Sequence, residues 1–299
     1  MFETCPQLDC NGRLLALDCP RVMGIVNVTP DSFSDGGAHA TITDAIAHGL
    51  RLAEEGADIL DIGGESTRPG ADEVPEDEEL RRIVPVIEAL AARTTLAISI
   101  DTSKPAVMRA AVAAGAGLIN DVFALRREGA LQAAAELGVP VILMHMLGEP
   151  RTMQAAPEYD DVVGEVHRFL AERIFACEMA GIARRRIVID PGFGLFGKTT
   201  VHNLQLLAGL RRFTELGVPV LAGLSRKTSI GEITGHDVPG DRTHGSVAAH
   251  LIAAQNGAAI VRVHDVAATV DALKVWNAVA AVPAPRTDTA PAIRWPDED

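Results

Sequence analysis

A short pattern that recurs through most of the chain constrains its fold more than any other feature. Each copy consists of a helical stretch, a glycine, a short apolar run and then a polar residue. Glycine suits a helix end because a residue without a Cβ adopts the left-handed conformation at little cost. The runs that follow are apolar on both faces, as buried parallel strands require. The glycines of the copies are Gly56, Gly115, Gly138, Gly181, Gly217 and Gly257.

The number of these units predicts the fold class. Two further apolar runs, ending near Asn27 and at Asp101, bring the predicted strands to eight. Eight strands alternating with helices, spaced by roughly thirty residues, are typical of an α/β TIM (β/α)8 barrel. The alternative is a doubly wound open sheet, which usually carries a glycine-rich phosphate-binding turn after its first strand. The first strand and its loop, VMGIVNVTPDSF, contain no such turn.

Both ends of the chain are predicted to lie outside the barrel. Residues 1–20 contain the pair Asn11-Gly12 between two short runs, which predicts a β-hairpin that plugs the bottom of the barrel. The barrel is then expected to span residues 21–282. Residues 283–299 are rich in proline and polar side chains, with acidic residues at the end, which predicts a flexible tail.

Composition excludes several classes of protein. A net charge of −13 argues against nucleic-acid and anionic-membrane partners, which require a basic face. No apolar run reaches the roughly eighteen residues of a membrane span, and the first residues lack the pattern of an export signal. The cysteines lack metal-binding spacing and are expected to be reduced thiols. We therefore predict a cytoplasmic protein without a membrane partner. The cysteines are Cys5, Cys10, Cys19 and Cys177.

Polar residues stand at the end of every predicted strand. In a barrel of this type the chemistry lies at the carboxyl ends of the strands and on the loops that follow. A purely structural barrel does not need this convergence, so we predict a polar ligand in the barrel mouth, although some of these groups must satisfy one another. The strand-end residues are Asn27, Asp61, Asp101, Asn120, His145, Asp190, Ser225 and His264.

Two long segments resemble the signatures of the dihydropteroate synthase family. They are MGIVNVTPDSFSDGG at residues 23–37 and DIGGESTRPG at residues 61–70. The resemblance implies a homodimeric enzyme of folate synthesis that uses Mg²⁺ and belongs to the family targeted by sulfonamides. Such an enzyme condenses 6-hydroxymethyl-7,8-dihydropterin pyrophosphate with 4-aminobenzoate to give 7,8-dihydropteroate and pyrophosphate. Shorter matches follow in order as SIDT (99–102), NDV (120–122), MHM (144–146), DPGF (190–193), SRK (225–227) and RVHD (262–265).

The strand ends have the chemistry that a pterin ring requires. A pterin presents adjacent hydrogen-bond donors that suit a buried carboxylate accepting two parallel bonds, with amides nearby. Asp101, Asn120 and Asp190 are of these types, and the resemblance implies that all three bind the pterin. It also implies pterin contacts for Met144 and for Lys227, whose ammonium is expected to donate to the ring carbonyl and a ring nitrogen.

A pyrophosphate leaving group requires cations and hydrogen-bond donors. Arg262 and His264 alternate with Val263 on the last strand, so both are expected to face the barrel mouth. The resemblance assigns them to the pyrophosphate, and it assigns Asn27 to both pyrophosphate and Mg²⁺. A neutral amide oxygen suits Mg²⁺ together with water and phosphate oxygens. Since no cluster of metal ligands is evident, the ion is expected to arrive with the substrate.

The resemblance places catalysis and 4-aminobenzoate binding in the loops after the first two strands. Catalytic roles are implied for Asp35, Arg68 and Lys227. If the C–O bond breaks first, a negative Asp35 in a closing loop stabilises the resulting pterin cation. The weakly basic arylamine then needs no strong general base. The residues implied for the 4-aminobenzoate pocket are Phe33, Ser34, Thr67, Arg68, Pro69, Phe193 and Phe196.

One segment matches a motif of a different class. GFGLFGKT at residues 192–199 fits the G-x-x-x-x-G-K-[ST] pattern of nucleotide-binding phosphate loops. We favour the barrel interpretation because this unit is the sixth of eight similar ones, and we expect Lys198 to lie solvated at the barrel rim. The family pattern is DPGFGFGK, whereas this chain has one more residue, which leaves open whether Phe193 or Phe196 lines the pocket.

Two rival functions remain open at this stage. A folate-to-corrinoid methyltransferase would share the pterin-binding acids but should lack the first signature and the Ser225-Arg226-Lys227 segment, and both are present. A non-catalytic pterin-binding paralogue should carry damage in the two loops, at Lys227 or at Arg262, and none is visible. The synthase is therefore the favoured function.

Overall fold

A computed structural model describes residues 6–28, 37–65, 73–148 and 157–282 of the chain. Its strands are β1 (Gln7–Cys10), β2 (Arg13–Ala16), β3 (Arg21–Asn27), β4 (Ile59–Gly63), β5 (Ala97–Asp101), β6 (Leu118–Asp121), β7 (Val141–Met144), β8 (Ile187–Asp190), β9 (Val220–Ala222) and β10 (Ala258–Val263). Its helices are α1 (Gly37–Glu54), α2 (Glu76–Arg93), α3 (Pro105–Ala113), α4 (Ala130–Leu137), α5 (Val162–Met179), α6 (Thr200–Ala208), α7 (Arg211–Thr214), α8 (Thr228–Thr234), α9 (Thr243–Gln255) and α10 (Val266–Ala280). Short 3₁₀ turns span Arg184–Arg186 and Pro239–Arg242.

The strands from β3 to β10 form a closed barrel in chain order, with β10 paired to β3. Every pair in the barrel is parallel. The predicted (β/α)8 barrel is therefore confirmed. All six glycines of the recurring pattern have positive φ, from 67° at Gly138 to 118° at Gly115, as predicted for residues that end helices.

The hairpin predicted at the amino-terminal end is also confirmed. β1 and β2 are antiparallel, with Cys10 opposite Arg13, so Asn11 and Gly12 form a two-residue turn. Both turn residues have positive φ, 57° and 81°, which a tight hairpin of this type requires. The hairpin side chains Leu8, Cys10, Leu15 and Leu17 pack against one inward-facing residue from each barrel strand. Those barrel residues are Met23, Ile59, Ala97, Leu118, Ile142, Val188, Leu221 and Ile260.

This apolar layer shows which strand positions face the barrel interior. Side chains alternate between the two faces of a strand, so the positions two and four residues further along also point inward. A larger apolar core fills the space between the outward face of the strands and the helices. The barrel interior is therefore apolar on every strand at its amino-terminal end, whereas the inward-facing positions nearer the carboxyl ends include polar residues.

Candidate active site

The inward-facing positions at the carboxyl ends of the strands are largely polar. Strand register places Asn27 beside Gly63, Gly63 beside Asp101, and Asp101 beside Asn120. On the opposite side of the barrel Met144 lies beside Asp190. The predicted convergence is thus present for these strand ends, because parallel register brings residues distant in sequence to one level of the barrel. His145 is an exception, since it follows inward-facing Met144 and its ring packs against Phe169 of α5, outside the barrel.

Arg262 is the centre of a buried ionic network. Its Nε donates to Asp61 Oδ2 over 2.6 Å and its Nη2 donates to Asp101 Oδ2 over 2.8 Å. Asn120 Nδ2 donates to the same oxygen of Asp61 over 3.2 Å. Asp61 has no exposed surface, and its Oδ1 has no hydrogen-bond partner within the described ranges. The sequence predicted no individual role for Asp61 and placed it at a strand end, whereas it is the central residue of β4 (Ile59–Gly63).

Burial and neighbouring charges set the ionisation of this network. Burial raises the pKa of Asp101 to about 7, against the lowering effect of Arg262 and with a further rise from Asp61. Burial lowers the pKa of Arg262, but the carboxylates of Asp61 and Asp101 outweigh it and raise the pKa above its usual value. The guanidinium therefore stays charged, and its charge opposes the protonation of Asp101 that burial favours.

Asn27 lies next to this network. A Cβ placed on Gly63 would lie 3.8 Å from Asn27 Oδ1 and 4.0 Å from Asp101 Oδ2, so both oxygens border the space that the glycine leaves open. Within the described ranges, no group of three or more His, Cys, Asp or Glu side chains is arranged to hold a metal ion. The donor that the protein offers here is one neutral amide oxygen, beside a carboxylate already paired with Arg262.

His264 is held as a neutral imidazole. Its Nδ1 lies 3.0 Å from Ser225 Oγ, and its backbone N–H donates to the same hydroxyl over 3.0 Å. Burial lowers the pKa of His264 to about 3, and the nearby cations, Arg262 first among them, lower it further. At neutral pH the ring can therefore act as a hydrogen-bond partner but carries no positive charge.

The opposite side of the mouth is built around Asp190. Its Oδ1 accepts a 2.7 Å hydrogen bond from the backbone N–H of Gly192, while burial raises its pKa. Lys227 Nζ lies 4.9 Å from the centre of the Phe196 ring, within cation–π distance. A Cβ on Gly194, whose φ is +102°, would lie 2.9 Å from Lys227 Cδ, so the lysine side chain passes over this glycine.

Comparison with known proteins identifies the family. A family model described as pterin binding enzyme matches residues 23–264. The chain is 53% identical to dihydropteroate synthase of Escherichia coli (strain K12) over 272 residues, which are 91% of this chain and 96% of that protein. The chain belongs to the dihydropteroate synthase family. The resemblance found from the two signature segments is therefore confirmed.

Solved structures of the same family extend this result. A structure titled Xanthomonas albilineans dihydropteroate synthase with 4-aminobenzoic acid is 72% identical, with a TM-score of 0.90, and covers 94% of this chain and 100% of that one. The structure of the enzyme from the same organism in complex with 7,8-dihydropteroate is 69% identical, with a TM-score of 0.86, and covers 93% and 100% of the two chains.

The structure distinguishes the two phenylalanines of the loop after β8. The sequence left open which of them lines the pocket. Phe193 is 2% exposed and packs into the core between strands and helices. Phe196 packs instead with Met144, Met146 and Val122, at the end of the barrel where Lys227 lies. Leu195 between them is 39% exposed. The loop thus takes up the additional residue by turning Leu195 outward, and Phe196 is the ring that lies among the predicted site residues.

The expectation that Lys198 is solvated at the rim is wrong. Lys198 has no exposed surface, and its Nζ lies 2.9 Å from His145 Nδ1 and 3.3 Å from the carbonyl oxygen of Phe196. Its long side chain extends from just before α6 back beneath the loop that follows β8. The position of Lys198 in the sequence did not indicate this direction.

The same loop differs from a nucleotide-binding phosphate loop. A phosphate loop offers backbone N–H groups and its lysine to a ligand. Here the N–H of Gly194 donates to Asn203 Oδ1 over 2.6 Å, and the N–H of His202 donates to the side chain of Thr199, which caps α6. These donors are therefore occupied by the protein itself. The segment matches the phosphate loop in sequence pattern but not in structure.

Several predicted site residues lie outside the described residues. They are Phe33, Ser34 and Asp35 after β3 and Thr67, Arg68 and Pro69 after β4, and the predicted tail 283–299 is also outside. The start of the second loop is described, and Arg82 Nη1 donates to the Gly64 carbonyl over 2.9 Å. No helix among the residues described is long and apolar enough to cross a membrane.

Proposed function

We propose that this chain catalyses the condensation of 6-hydroxymethyl-7,8-dihydropterin pyrophosphate with 4-aminobenzoate. The products are 7,8-dihydropteroate and pyrophosphate. The observation that supports this most directly is the set of buried Asp101, Asn120 and Asp190 with half-buried Lys227 and Arg262 at one end of a barrel whose relatives are dihydropteroate synthases. The titles of the related structures name 4-aminobenzoic acid and 7,8-dihydropteroate, which are a substrate and the product of this reaction.

In this proposal the pterin ring lies between Asp190 and the network around Arg262. The Asp190 carboxylate accepts from the amino group and adjacent ring N–H of the pterin, while Asn120 and Asp101 meet the other ring nitrogens. Lys227 donates to the ring carbonyl. Met144 forms the apolar surface against which the flat ring packs, and Phe196, which packs in the same cluster, lies where the pterin site meets the 4-aminobenzoate pocket.

The pyrophosphate is proposed to lie toward Asn27, Arg262 and His264. Arg262 carries a permanent charge, and the neutral His264 ring offers an N–H without the cost of burying a second cation. Asn27 fits a Mg²⁺ ion that arrives with the pyrophosphate, because one amide oxygen is a suitable ligand when water and phosphate oxygens supply the rest. Bound Mg²⁺ would neutralise charge that develops on the leaving pyrophosphate.

The reaction is proposed to be dissociative. The C–O bond to pyrophosphate breaks first, and the leaving group takes the electron pair. The amine nitrogen of 4-aminobenzoate then bonds to the cationic pterin methylene carbon and releases a proton to solvent. Asp35 and Arg68 are proposed to act from the two loops, with Asp35 stabilising the cation and Arg68 holding the aminobenzoate in a pocket with Phe33, Ser34, Thr67 and Pro69. Phe196 is preferred to Phe193 in that pocket because Phe193 belongs to the core.

Homodimer formation and a cytoplasmic location accompany this proposal as predictions. Gel filtration with light scattering would measure the mass of the chain in solution. A mass near twice the 31.6 kDa of one chain supports the dimer. A mass of one chain contradicts it.

The deciding experiment is an assay of dihydropteroate formation from the two purified substrates. Lys227→Ala should lower the rate at least tenfold, since a hydrogen bond from a charged group is worth about 1.5–3 kcal/mol. Lys274→Ala is the matched control, because that side chain is 73% exposed on α10, and its rate should stay within about twofold. A wild-type protein that binds pterin but forms no dihydropteroate would instead be the silent paralogue. Methyl transfer from a folate to a corrinoid would identify the other rival.

A further inference from the structure

The loop between β8 and α6 contains a buried cation to which the reaction proposed above assigns no part. Lys198 has no exposed surface and is among the largest fully buried side chains in the described ranges. Its ammonium contacts three acceptors at 2.9–3.5 Å, which are the Nδ1 and carbonyl oxygen of His145 and the carbonyl oxygen of Phe196. Burying a lysine is costly unless its charge is compensated. We therefore expect the buried ammonium of Lys198 to have a role.

The first role is geometric. By donating to the Phe196 carbonyl, Lys198 joins the loop after β8 to the segment after β7, where His145 lies. The backbone N–H of Leu147 donates to the same carbonyl over 3.3 Å, so Phe196 is held from two directions. Phe196 in turn packs with Met144 and lies under the ammonium of Lys227. The position of the ring in the pterin site therefore depends on the hydrogen bonds that Lys198 makes.

The second role is electrostatic. Gly192 donates to Asp190 Oδ1, and a Cβ on Gly192 would lie 3.4 Å from Lys198 Nζ and 1.9 Å from the His145 carbonyl. The ammonium thus lies directly behind the turn that presents Asp190. Burial raises the pKa of Asp190, and the positive charges of Lys227, Arg262 and Lys198 act in the opposite direction. Lys198 helps Asp190 to remain an ionised acceptor although it is buried.

We propose that Lys198 is a positioning residue for pterin binding, which holds the Phe196 ring in place and supports the negative charge of Asp190. This inference rests on the proposed dihydropteroate synthase function. Lys198 does not touch the pterin ring in this account, and it acts through the two residues that do.

The charges around Lys198 predict a pH dependence. Burial lowers the pKa of Lys198 to about 7, Asp190 opposes this, and Lys227 adds to it. His145, which faces the ammonium, is itself kept neutral because burial, Lys198 and Arg126 all lower its pKa. Lys198 therefore loses its proton as the pH rises through about 7, and the support for Asp190 weakens. The contribution of this charge to pterin binding, measured against a variant without it, should therefore be larger at pH 6 than at pH 8.

The test compares wild type with Lys198→Met by calorimetry with 7,8-dihydropteroate and by steady-state kinetics, both at pH 6, 7 and 8. We expect at least tenfold weaker binding of dihydropteroate than in wild type at pH 6, and a smaller difference from wild type at pH 8. Lys274→Met is the control and should match wild type. Asp101, whose pKa is also near 7, is present in all three proteins, so the difference between profiles reports Lys198.

The outcomes separate the two proposals. Unchanged dihydropteroate affinity in Lys198→Met overturns the positioning role, and so does weaker binding with the wild-type pH profile, which is what loosened packing alone would produce. If Lys198→Met does not fold, Lys198→Arg decides the question, because a guanidinium keeps its charge, so the affinity of this variant relative to wild type should rise from pH 6 to pH 8. A ratio of the two affinities that stays constant from pH 6 to pH 8 overturns the proposal. An inactive wild type refutes the synthase function instead.

Discussion

Replacing Lys104 should show how much stability is lost when the buried carboxylate of Glu79 has no cationic partner. The side chain of Lys104 is 9% exposed, and its Nζ donates to Glu65 and, over 2.6 Å, to Oε2 of Glu79. The side chain of Glu79 is fully buried, and its Oε1 has no hydrogen-bond partner in the part of the chain that the structure describes. Lys104 thus offsets a carboxylate charge that has no access to water.

Lys104→Met keeps most of the side-chain volume and removes the charge. Removing one partner of a buried ion pair typically costs about 3–5 kcal/mol, because the other charge stays buried. We expect a loss of this size in the free energy of unfolding, measured by urea denaturation at pH 8. An unpaired buried carboxylate has a raised pKa and takes up a proton in the folded state, so stability is lost as the pH rises. The deficit should therefore be smaller at pH 5 than at pH 8.

Two further variants control this measurement. Lys274→Met removes an exposed lysine whose 3.8 Å contact with Asp271 joins two exposed side chains, and it should change the free energy of unfolding by about 0.5 kcal/mol or less. Adding Glu79→Gln to Lys104→Met should recover most of the lost stability, since the stranded charge is gone. A loss below about 1 kcal/mol in Lys104→Met, equal at pH 5 and pH 8, would refute the reasoning.

Two other predictions concern the hairpin and a buried histidine. A Cβ on Gly117 would lie 2.2 Å from the carbonyl oxygen of Cys10, so Gly117→Ala should lower the free energy of unfolding in urea by about 1–3 kcal/mol. Gly240→Ala, where no described atom lies within 4 Å of the added methyl group, should change it by less than about 0.5 kcal/mol; equal effects would contradict the contact. His250 is 1% exposed, and burial lowers its pKa to about 4. As the pH drops through 6.5, the imidazole takes up a proton in the unfolded chain before it does so in the folded one, so the free energy of unfolding falls. By pH 5 this effect lowers the free energy of unfolding by about 2 kcal/mol. In His250→Gln the loss of stability between pH 7 and pH 5 should be smaller by that amount. A loss equal to that of wild type would refute the prediction.

Much of the fold followed from local features of the sequence. A glycine that ends a helix and an apolar run that forms a buried strand are properties of neighbouring residues, and their repetition determines a barrel. The turn at Asn11-Gly12 is local in the same sense, because it depends only on two residues that accept positive φ. The signature segments are contiguous as well, which is why the family could be recognised before any contact was known.

The electrostatics of the site were decided by contacts that no local pattern contains. Arg262 and Asp61 are 201 positions apart in the chain, and Lys198 and His145 are 53 apart. The sequence placed Arg262 at the mouth, but only the closure of β10 onto β3 brings its guanidinium to Asp61 and Asp101. Lys198 was expected in solvent because lysines at the start of helices usually are.

Sequence alone therefore determined the barrel, its family and the residue types at its mouth, since each depends on the order of residues along the chain. Tertiary structure decided which of these groups are paired, which are buried and which ring faces the site. Phe193 and Phe196 show the difference, because the residues around them in sequence are nearly alike. One packs into the core and the other beside Met144, since the course of the loop over the packed strands selects the side chain that turns inward.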